Sequence, residues 1–154
     1  MNIFDELGSQ YFEIDNNYSL LEFQAASKGW SKKEAVFRRK RELNDQAYFL
    51  FMFSRLEDRI KQLSSTTIIS KKASINSWIA RAAWDILPSS PKNGLDFKKR
   101  LALLVDKNCA NYKLISDYYA ERNSIAHGGN FTSPISIPTV ISELKRMYKI
   151  IKAN

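Results

Sequence analysis

Apolar residues along most of the chain recur at three- and four-residue steps, the periodicity of a helix with one buried face. A long helix is predicted for residues 32–62, and it opens with Ser31 and Glu34, which have the spacing of a capping box. Residues 64–72 are largely polar and are predicted to interrupt it. The apolar positions that define this helix are Val36, Leu43, Ala47, Leu50, Phe53, Leu56, Ile60 and Leu63.

Four further helices are predicted downstream, at residues 74–87, 95–105, 109–126 and 139–151. One side of the first of these is apolar and is expected to lie in the core; it carries Ile75, Trp78, Ile79, Ala82 and Ile86. Residues 88–94, with the sequence PSSPKNG, have the composition of a loop. No stretch alternates with strand periodicity. The predicted fold class is therefore all-α, a bundle of four to five main helices.

The first 30 residues mix polar and aromatic side chains without a clean period. Residues 1–30 are therefore predicted to form an irregular arm packed on the domain, with one short helix at most, around residues 20–28. Residues 31–154 are predicted to form the helical domain itself. A chain of 154 residues is long enough to bury a core without metals or disulfides.

The expected location of the protein is the cytoplasm, and no membrane insertion is expected. Cys109 is the only cysteine, so an internal disulfide is impossible and a reducing compartment is the simplest interpretation. The N-terminus lacks a basic region followed by an apolar stretch, which argues against a secretory signal. The most apolar run, residues 48–53, is far too short to span a bilayer.

The formal net charge of +8 favours a polyanionic partner, which could be nucleic acid, an acidic protein or a membrane surface. A basic surface that only maintains solubility is the alternative. Of the three tryptophans, Trp30 is the candidate platform for base stacking. A basic cluster early in the long helix could hold phosphates, or could be a solvated helix face; it comprises Lys32, Lys33, Arg38, Arg39, Lys40 and Arg41.

The segment ERNSIAHGG, residues 121–129, contains the only histidine, His127, just before the Gly128-Gly129 pair that is predicted to end a helix. A single imidazole excludes histidine-pair chemistry within one protomer, and the sequence offers no zinc or di-metal motif. No metal or cofactor is therefore expected. Histidine and arginine together can still cleave RNA, because a base can take the 2′-hydroxyl proton while a guanidinium holds the phosphate oxygens.

The spacing of these residues leaves several interpretations open. Arg122 and His127 lie about 140° apart around an ideal helix, whereas Asn123 and His127 share a face. The arginine's reach, distortion at the terminal glycines, or two copies meeting at a two-fold axis could bring all three together. Alternatively, His127 only caps the helix. Pairing of Cys109 with His127 as nucleophile and base lacks an orienting third group.

The segment resembles the signature of the HEPN superfamily, written R-x4-6-H with a polar residue after the arginine. Arg122, Asn123 and His127 match this signature. The resemblance implies an all-α homodimer with a composite active site that cleaves RNA without metal and leaves a 2′,3′-cyclic phosphate. Residues 41–60 are also similar to the long early helix of some HEPN families, in which Asn44 and Asp45 would approach the cleft. The residues expected to bind RNA are Arg38, Lys40, Arg41 and Asp45.

One departure from the family concerns regulation. In HEPN toxins paired with a minimal nucleotidyltransferase, a tyrosine two residues after the histidine is modified, and this chain has Gly129 there. The main hypothesis is thus a toxin or phage-defence endoribonuclease, with a possible antitoxin partner, in which Arg122, Asn123 and His127 are catalytic. The alternatives are a noncatalytic HEPN-like module that binds nucleic acid or a protein, and a purely structural dimerisation domain.

Overall fold

The computed structural model describes residues 2–153, and these residues form six α-helices and no strand. The prediction of an all-α fold is confirmed. The helices are α1 (Ile3–Ser27), α2 (Ser31–Ser74), α3 (Trp78–Asp85), α4 (Phe97–Ala102), α5 (Ala110–Ala126) and α6 (Ile137–Ile150). No helix within residues 2–153 is both long and apolar enough to cross a membrane.

The N-terminal segment is a helix, so the prediction of an irregular arm for residues 1–30 was wrong. The Asn2 side chain caps α1 by accepting a hydrogen bond from the Phe4 N–H at 3.1 Å, and Asp5 and Glu6 lie in its positively polarised first turn. Burial of Phe4, Leu7, Tyr11 and Ala25 at uneven spacing gives α1 its inner face. The many polar and exposed aromatic residues between these positions obscure the helical period in the sequence.

Helix α2 continues through the predicted break at residues 64–72 and ends only at Ser74. The reason is that three of its polar residues there, Ser64, Ser65 and Thr67, are buried on the inner face of the helix rather than solvated. The apolar stripe predicted for this helix is only partly buried. Phe53, Leu56 and Ile60 are buried, whereas Val36 and Leu43 are about half exposed.

Helix α3 spans Trp78–Asp85, shorter than the predicted 74–87, and its apolar side is exposed. The expectation that this side lies in the core was wrong. Trp78 is 70% exposed and Ile86 83% exposed, because none of the described residues covers them. Periodicity identifies an apolar face but does not supply a neighbour for it. The predicted loop at residues 88–94 is non-helical, as expected.

The chain divides into two compact units. The first comprises α1, helix α2 as far as Phe53, and residues Glu121–Lys145, with a core that includes Phe4, Phe49 and Val140. In this unit the rings of Phe131 and Phe49 pack edge to face, with their centroids 5.3 Å apart. The second unit comprises Ser54–Ala120 and the residues from Arg146 onward, and its core includes Leu56, Ile115 and Met147.

Candidate functional site

Helix α5 ends at Ala126 in a glycine cap, and His127 is the residue that directly follows the helix. Gly128 adopts a positive φ of 83°, and its N–H donates to the Ile125 carbonyl at 3.0 Å. The Gly129 N–H donates to the Ser124 carbonyl at 2.9 Å, which completes a Schellman motif. The predicted glycine stop is thus confirmed, and the cap turns the chain away directly after the histidine.

The cap also explains why a side chain does not fit at position 129. A Cβ atom built on Gly129 would lie 2.8 Å from both the carbonyl oxygen and the Oγ of Ser124, closer than real Cβ contacts. A tyrosine at this place would therefore require the loop to move. The close approach to Ser124 accounts for a glycine at this position.

Of the three predicted catalytic residues, two are in direct contact. Arg122 Nη1 donates to Asn123 Oδ1 at 3.0 Å, and both side chains are partly buried. His127 is exposed, and its backbone N–H donates to the Asn123 carbonyl at 3.1 Å. Among the described residues, no hydrogen bond joins the His127 imidazole to Arg122 or Asn123. Within one protomer, therefore, the arginine and asparagine side chains pair while the imidazole faces solvent.

Glu121, which directly precedes Arg122, ties the loop after α5 back onto the helix. Its buried carboxylate accepts hydrogen bonds from the Thr132 N–H at 2.8 Å, the Thr132 hydroxyl at 2.5 Å and the Ser133 hydroxyl at 2.9 Å. Burial by itself would raise the pKa of Glu121, but these donors outweigh it and the pKa is lowered. The negative charge therefore anchors residues 132 and 133 of the loop that begins at His127 to helix α5.

The same loop is also held by helix α2. The Ser124 hydroxyl donates to the Asn130 carbonyl at 2.8 Å, and Gln46 Nε2 donates to Asn130 Oδ1 at 3.0 Å. A shallow hollow of about 290 Å³ adjoins this contact and is lined by Arg39, Glu42, Asp45, Gln46, Asn130 and Phe131. Gln46 of α2 thus contacts the loop, and Asp45 lines the adjoining hollow.

Asp45, expected to bind RNA, already has a partner. It accepts a hydrogen bond from the Tyr11 hydroxyl at 2.9 Å. Burial raises the pKa of Asp45, and the nearby Asp15 charge adds to this, while the hydrogen bond from Tyr11 acts in the opposite direction. This pair joins α1 to α2, so a packing role accounts for Asp45 without RNA.

The arginines of the basic cluster are paired with carboxylates. Arg41 contacts Asp15 at 2.9 Å and Glu22 at 3.1 Å, and the hydrogen bond to Asp15 is the main reason that its pKa is raised. Arg38 contacts Glu22 at 3.1 Å and Glu34 at 2.5 Å. In the same way, Arg39 contacts Glu42 at 2.8 Å. These three charges are therefore largely neutralised.

Lys40 lies in a different environment from these arginines. Its Nζ is 5.5 Å from the centroid of the Tyr18 ring and 5.6 Å from that of Phe37, and no carboxylate among the described residues pairs with it. Of the four residues expected to bind RNA, Lys40 is thus the one that presents an uncompensated charge.

Cys109 and a metal site are the other candidates for site chemistry. Cys109 Sγ accepts a hydrogen bond from the Tyr112 N–H at 3.4 Å at the start of α5, whereas His127 follows the end of that helix. Within residues 2–153, no group of three or more His, Cys, Asp or Glu side chains is arranged to hold a metal ion.

The site residues that sequence reasoning missed are Glu121, Gln46 and Asn130. Glu121 stands beside the motif arginine, but only the fold shows that its partners come from the loop eleven and twelve residues later. A cluster of Thr132 and Ser133 after a glycine stop was the one available signal, since hydroxyl groups often bind a nearby carboxylate.

Comparison of the chain with protein-family models, with curated proteins and with solved structures finds no match. The relationship to HEPN proteins therefore stays a prediction based on the motif segment of residues 121–129.

Proposed function

We propose that the chain is a metal-independent RNA endonuclease of the HEPN class, a toxin or phage-defence effector that acts as a homodimer in the cytoplasm. One observation supports this most directly: Arg122 and Asn123 pair at 3.0 Å within the last turns of α5, and an exposed His127 stands at the capped helix end. The site thus combines a guanidinium for an anion with an accessible imidazole for proton transfer.

In the proposed reaction His127 removes the proton from a ribose 2′-hydroxyl. The oxygen then attacks the adjacent phosphorus, the bond from phosphorus to the 5′-oxygen breaks, and that oxygen leaves after taking up a proton. The products are a 2′,3′-cyclic phosphate and a 5′-hydroxyl. Arg122 stabilises the extra negative charge on the phosphate oxygens, and Asn123 orients the guanidinium through its side-chain contact.

A dimer would supply what one protomer lacks. The chain has one imidazole, whereas acid–base cleavage uses one group to remove a proton and another to donate one. Two copies of the α5 end related by a two-fold axis would bring two imidazoles and two guanidinium groups into one cleft. The exposed position of His127 is compatible with this arrangement.

The test is incubation of purified protein with labelled RNA in EDTA, beside the variants Arg122→Ala and His127→Ala. We expect cleavage by the wild type with cyclic-phosphate ends, and a loss of at least about a hundredfold in either variant, the usual contribution of an acid–base or charge-stabilising group. Glu13→Gln, an exposed change on α1, is the control and should cleave normally.

Failure of this test would favour the second candidate, a noncatalytic HEPN-like module that binds a partner. The observation in its favour is the exposed apolar side of α3, where Trp78, Ile79 and Ile86 are at least 70% exposed, a surface that suits a protein contact. Absence of cleavage, or cleavage unchanged in both motif variants, would leave the motif as a helix cap and rule out the enzyme. An antitoxin protein that inhibits the enzyme is part of the endonuclease proposal.

A further inference from the structure

The basic cluster of helix α2 consists of two sets of side chains, which differ in what their charges contact. Arg38, Arg39 and Arg41 contact carboxylates. In contrast, Lys32, Lys33 and Lys40 have no carboxylate partner among the described residues. Arg38 and Arg41 join α1 to α2, Arg39 pairs within α2, and the lysines keep their charges available to solvent.

The three lysines share a hollow with two apolar residues. Lys32, Lys33, Val36, Phe37 and Lys40 line a depression of about 340 Å³ on the first unit, and we call these five residues the lysine surface. The other four residues follow Lys32 by one, four, five and eight positions, so all five lie along one side of α2. The ring of Phe37 is partly exposed there, so a planar group can reach it between the ammonium groups.

Aromatic rings position two of these ammonium groups. Lys33 Nζ lies 4.3 Å from the centroid of the Trp30 ring, and Lys28 approaches the same ring at 4.7 Å. Lys40 stands near Tyr18 and Phe37. A ring restrains a lysine side chain without neutralising it, because the cation–π contact leaves the ammonium protons free for an anion. The lysine surface is therefore preorganised for negative ligands.

The length of the lysine surface indicates what kind of anion it fits. Lys32 and Lys40 are eight residues apart, about 12 Å along a helix axis, which no single phosphate group spans. A chain of phosphates with bases between them matches both the separated charges and the aromatic floor. Val36 and Phe37 line a shallow depression between the lysines, on which the face of a base can lie.

We propose that the lysine surface is the single-stranded RNA-binding site of this protein, with Lys32, Lys33 and Lys40 on phosphates and Phe37 beneath a base. That this RNA is also the substrate rests on the function proposed above, whereas binding itself does not. The arginines expected from sequence to bind RNA, Arg38 and Arg41, hold the α1–α2 pair together instead.

The test measures binding by fluorescence anisotropy with a labelled 2′-O-methyl oligouridine of about twelve nucleotides, a length within the usual single-strand site sizes. This probe lacks the 2′-hydroxyl, so binding is read without cleavage. The Lys32→Gln/Lys33→Gln/Lys40→Gln variant should bind at least about tenfold more weakly, and its slope of log affinity against log salt should fall by about two. Phe37→Leu, which keeps all charges, should lose at least about fivefold.

The matched control removes three exposed lysines elsewhere, as Lys92→Gln/Lys149→Gln/Lys152→Gln, and changes net charge equally. It should retain most of the affinity. Equal weakening in the two triple variants would overturn the proposal, because binding would then follow net charge alone. No saturable RNA binding, with lysine-dependent binding to phosphatidylcholine vesicles containing about 30% phosphatidylserine, would overturn it in favour of a membrane surface.

Cleavage of unmodified RNA separates this proposal from the enzymatic one. Lysine-dependent binding without cleavage by the wild type would support the lysine surface and contradict the endonuclease. Cleavage abolished by His127→Ala, together with binding that ignores the lysine surface, would support the endonuclease and contradict the lysine surface.

Discussion

Glu121 is the residue on which the geometry of the α5 end most depends. It is 6% exposed and receives three hydrogen bonds from Thr132 and Ser133, across the loop that starts at His127. Hydrogen bonds to a charged group are stronger than neutral ones, and an unpaired donor left buried is costly. The residue beside the motif arginine therefore stabilises the loop that carries the histidine.

Replacement of Glu121 by Gln should lower the free energy of unfolding by about 1–3 kcal/mol, because a neutral amide cannot accept all three hydrogen bonds and brings its own donor into the site. Urea unfolding at neutral pH measures this. Glu13→Gln on the exposed side of α1 removes the same charge and should change stability by less than about 0.5 kcal/mol. Equal effects of the two variants would contradict the role given to Glu121.

The pH dependence of the same variant follows from the lowered pKa of Glu121. Burial opposes the shift, but the hydrogen bonds from Thr132 and Ser133 give a folded-state pKa below the unfolded value. Such a carboxyl contributes stability above its unfolded pKa, about 4.3, and loses it as pH falls through the folded value. The stability difference between wild type and Glu121→Gln should therefore be full at pH 7 and shrink below about pH 4.

At the scale of helices, Arg100 explains why α2 did not break where its sequence turns polar. This arginine is 1% exposed, and it donates to the Ser64 and Ser65 hydroxyls at 3.2 and 3.4 Å. It also donates to the Ser90 carbonyl at 2.7 Å and the Asn93 carbonyl at 3.2 Å. Serines that resemble a linker in sequence are thus buried partners of a cation from a different helix.

Arg100→Leu should lower the free energy of unfolding by about 3 kcal/mol or more, because it leaves buried hydroxyl and carbonyl groups without their donor. Arg100→Lys keeps the charge but not the forked hydrogen-bonding geometry, so its free energy of unfolding should lie between those of Arg100→Leu and the wild type. Lys99→Leu is the control next to it, since Lys99 is exposed and pairs with Asp96 at the surface. Urea midpoints for all four proteins decide whether the buried contacts carry this stability.

The elements that sequence predicted well are those with local signals. The glycine pair ended α5 as expected, and the loop at residues 88–94 was clear from its prolines and glycine. The period of α1 is obscured by its polar and exposed aromatic residues, whereas the errors at the α2 break, at α3 and in the basic cluster concern outcomes that depend on distant partners. Asp15 and Glu22 neutralise Arg41, Arg100 buries Ser64, and nothing among the described residues covers Trp78.

In the candidate site too, local features could be predicted from the sequence and side-chain contacts could not. The order Arg122, Asn123 and His127 and its position at a helix end could be predicted, but the Arg122–Asn123 contact, the Glu121 carboxylate and the approach of Gln46 to Asn130 could not. The contacts of Glu121 and Gln46 depend on the path of the loop after Gly129, and the Arg122–Asn123 contact depends on the side-chain rotamers of the two residues. The division of the basic cluster also required the fold, because residue types alone do not tell a paired arginine from an unpaired lysine.

At the scale of the whole molecule, the proposed homodimer needs a surface on which two copies can meet. All three motif residues belong to the first unit, so a composite site needs a contact made by that unit. Helix α2 offers exposed apolar residues there, with Leu43 at 48% and Phe51 at 56% exposure. Exposed apolar surface of this kind is common at interfaces between subunits.

We expect sedimentation at micromolar concentration to give twice the mass of the chain, and Leu43→Glu to convert the dimer to a monomer, since a buried unpaired carboxylate is costly. Ile79→Glu introduces the same charge on the second unit, at a residue that is 72% exposed, and should leave the dimer intact. Cleavage per chain should fall with dissociation if the site is composite, in Leu43→Glu and in wild-type protein on dilution. A monomer as active as the dimer would place the whole reaction on one protomer, and a dimer lost only in Ile79→Glu would move the contact to the second unit.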